Sequence, residues 1–564
     1  MKKIIVVLLA SIQLHCSPEN EVELGPVADL IFIGQNIITM DQPGVTGLAV
    51  LEDRISYVGN ADEALGFQGP NTRVIDLGNR ALLPGFIDAH GHFSAFAARL
   101  DALDLSPPPV GSVDSIDDLV VALKDWIERQ QVPDGEIVFG VGYDDSLLLE
   151  QRHPTKEDLD RASTRHPIVI SHVSGHLLVA NSAALLNANV SALTDDPAGG
   201  VIRRVEGSNE PNGVMEETAL GLFPSQSSTL TAEKRRVLRR QALAVYAKYG
   251  ITTIQDSNVS LAYIDQLTEE ARGEPFPQDI VSYVWANRMT DEALGSVVPT
   301  SYEGGIRLGG VKFTLDGSPQ GRTAWLTEPY TAGPPNAAVD YVAYPSYEPS
   351  KYKERMVGLL ERGVPVLAHA NGDAAIDLML DGVAGGLEEV GPKDHRSVVI
   401  HGQLTRPDQL PRFKELGVVP SYYSVHPFFW GDWHRLSFGE ARAAFISPVA
   451  ATVELDIPFT VHNDTPVVPP DMMRLVSITV NRETRSGYVL GADQRASVQQ
   501  ALHAITLGAA YQYFEESEKG SLTLGKRADL VVLESNPLTA DPKALGQIGI
   551  VETFARGTSI YKQE

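Results

Sequence analysis

The sequence predicts an α/β protein: a TIM-like (β/α)8 barrel, a small β-sandwich domain built from both chain ends, and a large insertion after the first barrel strand. Three observations predict it. Short strand-like runs gather at the two ends of the chain. Between them, apolar runs alternate with longer helical stretches, the pattern of βα units on a parallel sheet. One interval, about residues 100–240, breaks that alternation.

In chain order, a leader comes first. Lys2 and Lys3 precede an apolar run, Ile4 to Ile12, interrupted only by Ser11. The run is too short to span a bilayer as a mature helix. Residues 1–16 are therefore expected to be an export signal, with the periplasm as destination. Cys16, the only cysteine in the chain, is expected to become a lipidated first residue that attaches the protein to a membrane. Gln13, Leu14 and His15 depart from the usual lipobox, so cleavage by an ordinary signal peptidase is the alternative.

Asp29–Ile38 reads as strand and turn, Gly47–Asn60 as a hairpin turning near Glu52 and Asp53, and Arg73–Leu82 continues in the same short-strand style. Ala528–Leu533 and Ile548–Tyr561 have the same character. Residues 22–84 and 515–564 are thus expected to pair into the small β-domain. Residues 85–514 supply eight barrel strands, ending near His90, Asp256, Trp285, Thr314, His369, His401, Tyr422 and His462. Helical stretches such as Lys351–Arg362 and Ala374–Val390 follow them. The insertion carries its own strands, Glu136–Val141 and Pro167–Ser171, and should shape a pocket at the C-terminal ends of the barrel strands.

Composition narrows the chemistry. Of 564 residues, 43% are hydrophobic and 21% charged, as in ordinary globular proteins. The formal charge of −26 argues against nucleic acid, whose phosphates demand a basic surface. A single cysteine permits neither an intrachain disulfide nor a thiolate cage. Any metal must be held by His, Asp, Glu or a Lys-derived ligand.

The most informative run is Pro84-Gly85-Phe86-Ile87-Asp88-Ala89-His90-Gly91-His92. Histidines at i and i+2 of a strand project to one side and can grip one cation. In this setting the run resembles the opening metal motif of the amidohydrolase superfamily. The resemblance spans nearly the whole mature chain and is nearest to the branch that contains N-substituted formamide deformylase. It also rests on Gly142-Tyr143-Asp144, Ser174-Gly175-His176, Asp316-Gly317-Ser318 and Ala528-Asp529-Leu530. One departure is Ser171-His172-Val173-Ser174, where the branch more often has an Arg and an Asp.

The resemblance implies a ligand set of His90, His92, Lys312 on the fourth strand, His369 on the fifth, His401 on the sixth and Asp464 on the eighth. It implies one or two divalent cations, zinc foremost. It also implies a carbamate on Lys312, the alternative being an unmodified lysine paired with Asp316 or another carboxylate. A buried lysine needs such a reason, because an unpaired ammonium is costly to bury.

Asp464 stands where the family has its general base. His176, His426 and Asn463 are further candidates for the substrate pocket, and His462 and Asn463 for orienting Asp464. The implied reaction is attack of hydroxide on a small-molecule substrate, cleaving a non-peptide amide, N-formyl or N-acyl bond. A cyclic amide, dipeptide, deamination or phosphoester substrate and a non-catalytic binding protein stay open, because fold does not dictate function. A homodimer is a further expectation of the resemblance.

Overall fold

The computed structural model of the protein describes residues 27–334 and 337–564. The expected export signal and Cys16 lie outside them. No helix among the described residues is long and apolar enough to cross a membrane.

Eight parallel strands form the central sheet: Phe86–Ile87, Ile251–Val259, Asp279–Trp285, Ile306–Thr314, Val366–Ala370, Val398–His401, Val419–Tyr422 and Thr460–Val461. Each pairs with the next in chain order. The segments that follow the two outer strands meet where the His92 amide donates to the Thr465 carbonyl at 2.7 Å. The curled sheet is that of a TIM-like barrel. Its strands end within three residues of the positions expected from sequence.

Strand alternation sorts the apolar residues into two cores. Val281, Tyr283, Leu367, Val398 and Ile400 cluster inside. Phe313, Ala368 and Val399 face outward onto Tyr352, Met356, Ile376 and Met379 of the helices Pro349–Glu361 and Asp373–Val390. Full burial of each such side chain is worth about 1.5–3 kcal/mol. Lys312, between Val311 and Phe313, is therefore directed inward.

Between the first and second barrel strands lies a six-stranded sheet drawn from residues 103–217. Val138–Tyr143 and Ile168–His172 run parallel in it, with Tyr143 opposite His172. Leu177–Ala180 then turns back antiparallel. The helix Ile116–Gln130 covers this sheet through Leu119, Val120 and Leu123.

The chain ends form two four-stranded sheets. The short-strand stretch Arg73–Leu82 holds two strands: Arg73–Asp76 belongs to one sheet and Ala81–Pro84 to the other. The chain crosses between them through Gly78 at φ +55°, a left-handed conformation that glycine adopts freely. Ala81–Pro84 pairs antiparallel with Leu530–Leu533, joining the two ends of the chain. Phe32 and Phe554 meet edge to face at 5.5 Å in the shared core.

Candidate metal centre

The C-terminal ends of the barrel strands open into a cavity of about 720 Å³. His92, Lys312, His369, His401 and Asp464 line its floor, and His90 is fully buried beneath them. All six expected ligands are thus brought together. His90 Nε2 and His92 Nε2 each lie 3.4 Å from Asp464 Oδ1, and His401 Nε2 lies 3.9 Å from Asp464 Oδ2. Lys312 Nζ is 3.0 Å from His90 Nε2. The rings of His369 and His401 are 4.6 Å apart.

Backbone geometry helps to build this convergence. Strict alternation would place His401 on the outer side with Val399. Its φ of +76° turns the chain so that the ring faces inward. Asp464 has φ +53°. Two non-glycine residues in the left-handed region at one site represent strain of order 1–3 kcal/mol each, held by the surrounding fold.

Each ring is steered from behind. His90 Nδ1 meets Gln255 Oε1 at 2.5 Å, and His92 Nδ1 meets the Ser257 carbonyl at 3.2 Å. His369 Nδ1 meets Asp316 Oδ1 at 3.1 Å, and His401 Nδ1 meets His462 Nε2 at 3.1 Å. Such contacts fix ring orientation and direct Nε2 toward a cation. Gln255 and Asp316 hold these posts unforeseen: Asp316 serves His369, whereas sequence offered it only as a partner for Lys312. A strand residue's partner on a neighbouring strand has no local signature.

Charge in the site follows from burial. Burial pushes His90, His369 and His401 well below the ordinary imidazole range, and the Lys312 charge adds to this at each. The neutral rings keep a lone pair for a cation. Burial also pushes Lys312 down to about 7 against the opposing charge of Asp464. Burial would raise Asp464, but His92, His462 and Lys312 hold it at about 2, as a carboxylate.

Of the expected pocket residues, His176 is in place. It lines the cavity, its ring 5.0 Å from that of His369, and its Nδ1 bonds Glu217 Oε2 at 2.7 Å. Glu217 is a cavity residue that the sequence did not reveal.

His426 and Asn463 are not in this cavity. His426 opens the helix His426–Phe438 and is buried against Tyr423 and Trp430, with Nδ1 2.5 Å from His434 Nε2. Asn463 contacts Met472 Sδ at 3.5 Å and lines a separate cavity of about 170 Å³. Asn463 lies past the end of the strand Thr460–Val461 and turns toward Met472, while the φ of +53° at Asp464 brings the next side chain into the site. His462 is buried behind the floor, where it steers His401 and stacks on Tyr423.

A barrel with histidines, a lysine and an aspartate gathered at its C-terminal strand ends defines a metal-dependent hydrolase. The chain belongs to the amidohydrolase family, which it matches over residues 73–561. It is 28% identical over 563 residues to N-substituted formamide deformylase of Arthrobacter pascens, covering 95% of this chain and 98% of that one. It is 27% identical over 561 residues to Protein LONG AFTER FAR-RED 3 of Arabidopsis thaliana, covering 95% and 92%. Among solved structures it resembles an uncharacterized metal-dependent hydrolase from Pyrococcus furiosus. That likeness has a TM-score of 0.67 at 26% identity and covers 91% of this chain and 99% of the other.

Proposed function

We propose that this hydrolase cleaves a carbon–nitrogen bond in a non-peptide amide, an N-formyl or an N-acyl compound. Its cofactor in this reading is zinc, as one or two ions, held by His90, His92, Lys312, His369, His401 and Asp464. One observation carries the cation. Asp464 Oδ1 is buried without a hydrogen-bond partner while two imidazole nitrogens point at it from 3.4 Å. Buried carboxylate oxygens are rarely left so, and an ion among these donors satisfies all of them. The bound cation supplies a water that ionises near neutral pH and polarises the scissile carbonyl.

The chain's own groups do the rest. Asp464 accepts the proton of the attacking water and returns it to the leaving nitrogen. His176, oriented by Glu217, offers a hydrogen bond to the substrate carbonyl oxygen. Lys312, as a neutral amine, adds to CO₂ with loss of a proton; the resulting carbamate removes the problem of a buried ammonium and gives an anionic ligand. The choice of a C–N bond is supported by the similarity to the formamide deformylase.

In the same reading, the described part of 22–84, from residue 27 on, forms a β-sandwich domain with 515–564, and 85–514 holds the barrel. The insertion of about 100–240 shapes the pocket, supported by its contribution of Val173, His176, Glu217 and Leu220 to the cavity.

The test is turnover of a panel of formamides, N-acyl amino acids and lactams by zinc-loaded protein, wild type against Asp464→Asn. We expect cleavage of at least one formamide or N-acyl compound and a loss of about 10²–10⁴-fold in kcat in the variant. Near-wild-type turnover by the variant would remove Asp464 from the mechanism. Turnover of lactams alone would reassign the substrate class.

A further inference from the structure

We propose that Asp144, Asp145, His153 and His172, all within the insertion, form a second divalent-cation site of the zinc class.

Charge is the first argument. Asp144 and Asp145 are adjacent in sequence and both buried. Among the described residues, neither forms an ion pair with a lysine or arginine within 4.0 Å; Asp145 pairs with His172 and His153, and the Arg203 and Arg322 charges act on it from further off. Buried carboxylates are ordinarily matched by a cation or a metal. One divalent ion neutralises both.

Geometry is the second argument. His172 Nε2 lies 3.0 Å from Asp145 Oδ1 and His153 Nε2 3.5 Å from Asp145 Oδ2. One ligand atom from each of Asp144, Asp145 and His172 falls within 4.8 Å of the others. The two ring nitrogens thus approach one carboxylate from either side, with the second carboxylate next to it. The parallel pairing of Val138–Tyr143 with Ile168–His172 creates this, because both strands end at the same level.

The surroundings are those of a ligand shell. His172 Nδ1 meets Ser174 Oγ at 2.8 Å, with the Ser174 amide at 3.2 Å, and His153 Nδ1 meets Tyr143 Oη at 3.1 Å. Without an ion the Ser174 amide donates to His172 Nδ1, and His172 Nε2–H donates to Asp145 Oδ1. An ion shifts His172 to the tautomer whose Nδ1–H donates to Ser174 Oγ, freeing the Nε2 lone pair, and His153 with its Nδ1–H on Tyr143 Oη presents Nε2 likewise. Asp144 is fixed by the Ser146 amide at 3.0 Å, Ser146 Oγ at 2.6 Å and Trp430 Nε1 at 2.7 Å. Oδ1 accepts both Ser146 groups, and Oδ2, which accepts only Trp430, retains a lone pair. Two imidazoles and two carboxylates, without thiolate, suit zinc and similar ions in a closed four-coordinate site. Such an ion fastens the loop after Tyr143 to the strand whose next turn carries His176, and so stiffens one wall of the main cavity.

The experiment counts metal. Full-length protein is stripped with a chelator, reloaded with Zn²⁺ alone, dialysed, and assayed for zinc per chain by mass spectrometry. We expect Asp145→Asn and His153→Gln each to hold one equivalent fewer than wild type. We expect His90→Ala/His92→Ala to keep one equivalent that disappears when Asp145→Asn is added. Equal zinc in wild type and His153→Gln, or no zinc in a natively folded His90→Ala/His92→Ala protein, would overturn the proposal. Should Asp145→Asn fail to fold, the His153→Gln variant, which keeps both carboxylates, decides by the same count.

Discussion

At the scale of the residue, the centre is a set of paired assignments, each ligand with a partner behind it. Asp316 shows the logic. Burial pushes its carboxyl up to about 7, while backbone amides of Asn371, Gly372 and Trp325 pull it down. It accepts those three N–H groups at 2.7–3.1 Å and meets His369 Nδ1 as well. Asn in its place keeps the shape but loses the charge that orients the imidazole. Loss of such a partner typically weakens metal binding 10- to 100-fold. Asp316→Asn should therefore bind zinc about 10–100 times more weakly in chelator competition; affinity equal to wild type would sink the assignment. Glu217→Gln probes the pocket instead. Substrate affinity should fall several-fold as a rise in KM, with zinc content unchanged, and a loss of zinc would instead make Glu217 part of the metal shell.

Elements explain what the sequence could and could not reveal. The eight strands were legible because most are short, largely apolar runs, because each has a polar residue at or within two positions of its end, and because βα alternation is regular from Ile251 onward. The ligands were legible as chemical types at strand ends. Their partners were not, since Gln255 lies 165 positions from His90 and is adjacent only across the sheet. His426 and Asn463 misled because a polar residue near a strand end looks the same from either side of the sheet. The turn Ser174-Gly175-His176 ties element to function. Gly175 sits at φ +73° with open space around it, so a methyl group meets no clash, only an unfavourable conformation. Gly175→Ala should cost about 1–2 kcal/mol. That cost falls on the turn that aims His176. The expected result is a raised KM with native circular dichroism, and an unchanged KM would show that the turn does not set the position of His176.

The whole molecule is held by a junction far in sequence from the ligands. Asp279 begins the third barrel strand and is buried. Lys519 Nζ and Arg527 reach its Oδ2 at 2.5 Å, and Arg556 reaches Oδ1 at 2.7 Å. These three cations come from the C-terminal segment that builds the small sheets, so one carboxylate links barrel and chain end. Burial alone would raise Asp279, but the charges of Lys519, Arg527 and Arg556 prevail and hold it below the ordinary carboxylate range. A depressed folded-state pKa means stability that is fully present above the unfolded value of about 3.9 and is lost as pH falls through the folded one. Asp279→Asn leaves three cations facing a neutral amide, and breaking a buried pair from one side costs about 3–5 kcal/mol. The urea midpoint of Asp279→Asn should therefore fall well below that of wild type at pH 7. The gap should persist to about pH 5 and narrow below about pH 4, where wild type protonates the same group. A gap that stays constant or widens in acid would show that the junction is held by packing around the Tyr302 ring, on which Lys519 and Arg527 also lie, rather than by the charge of Asp279.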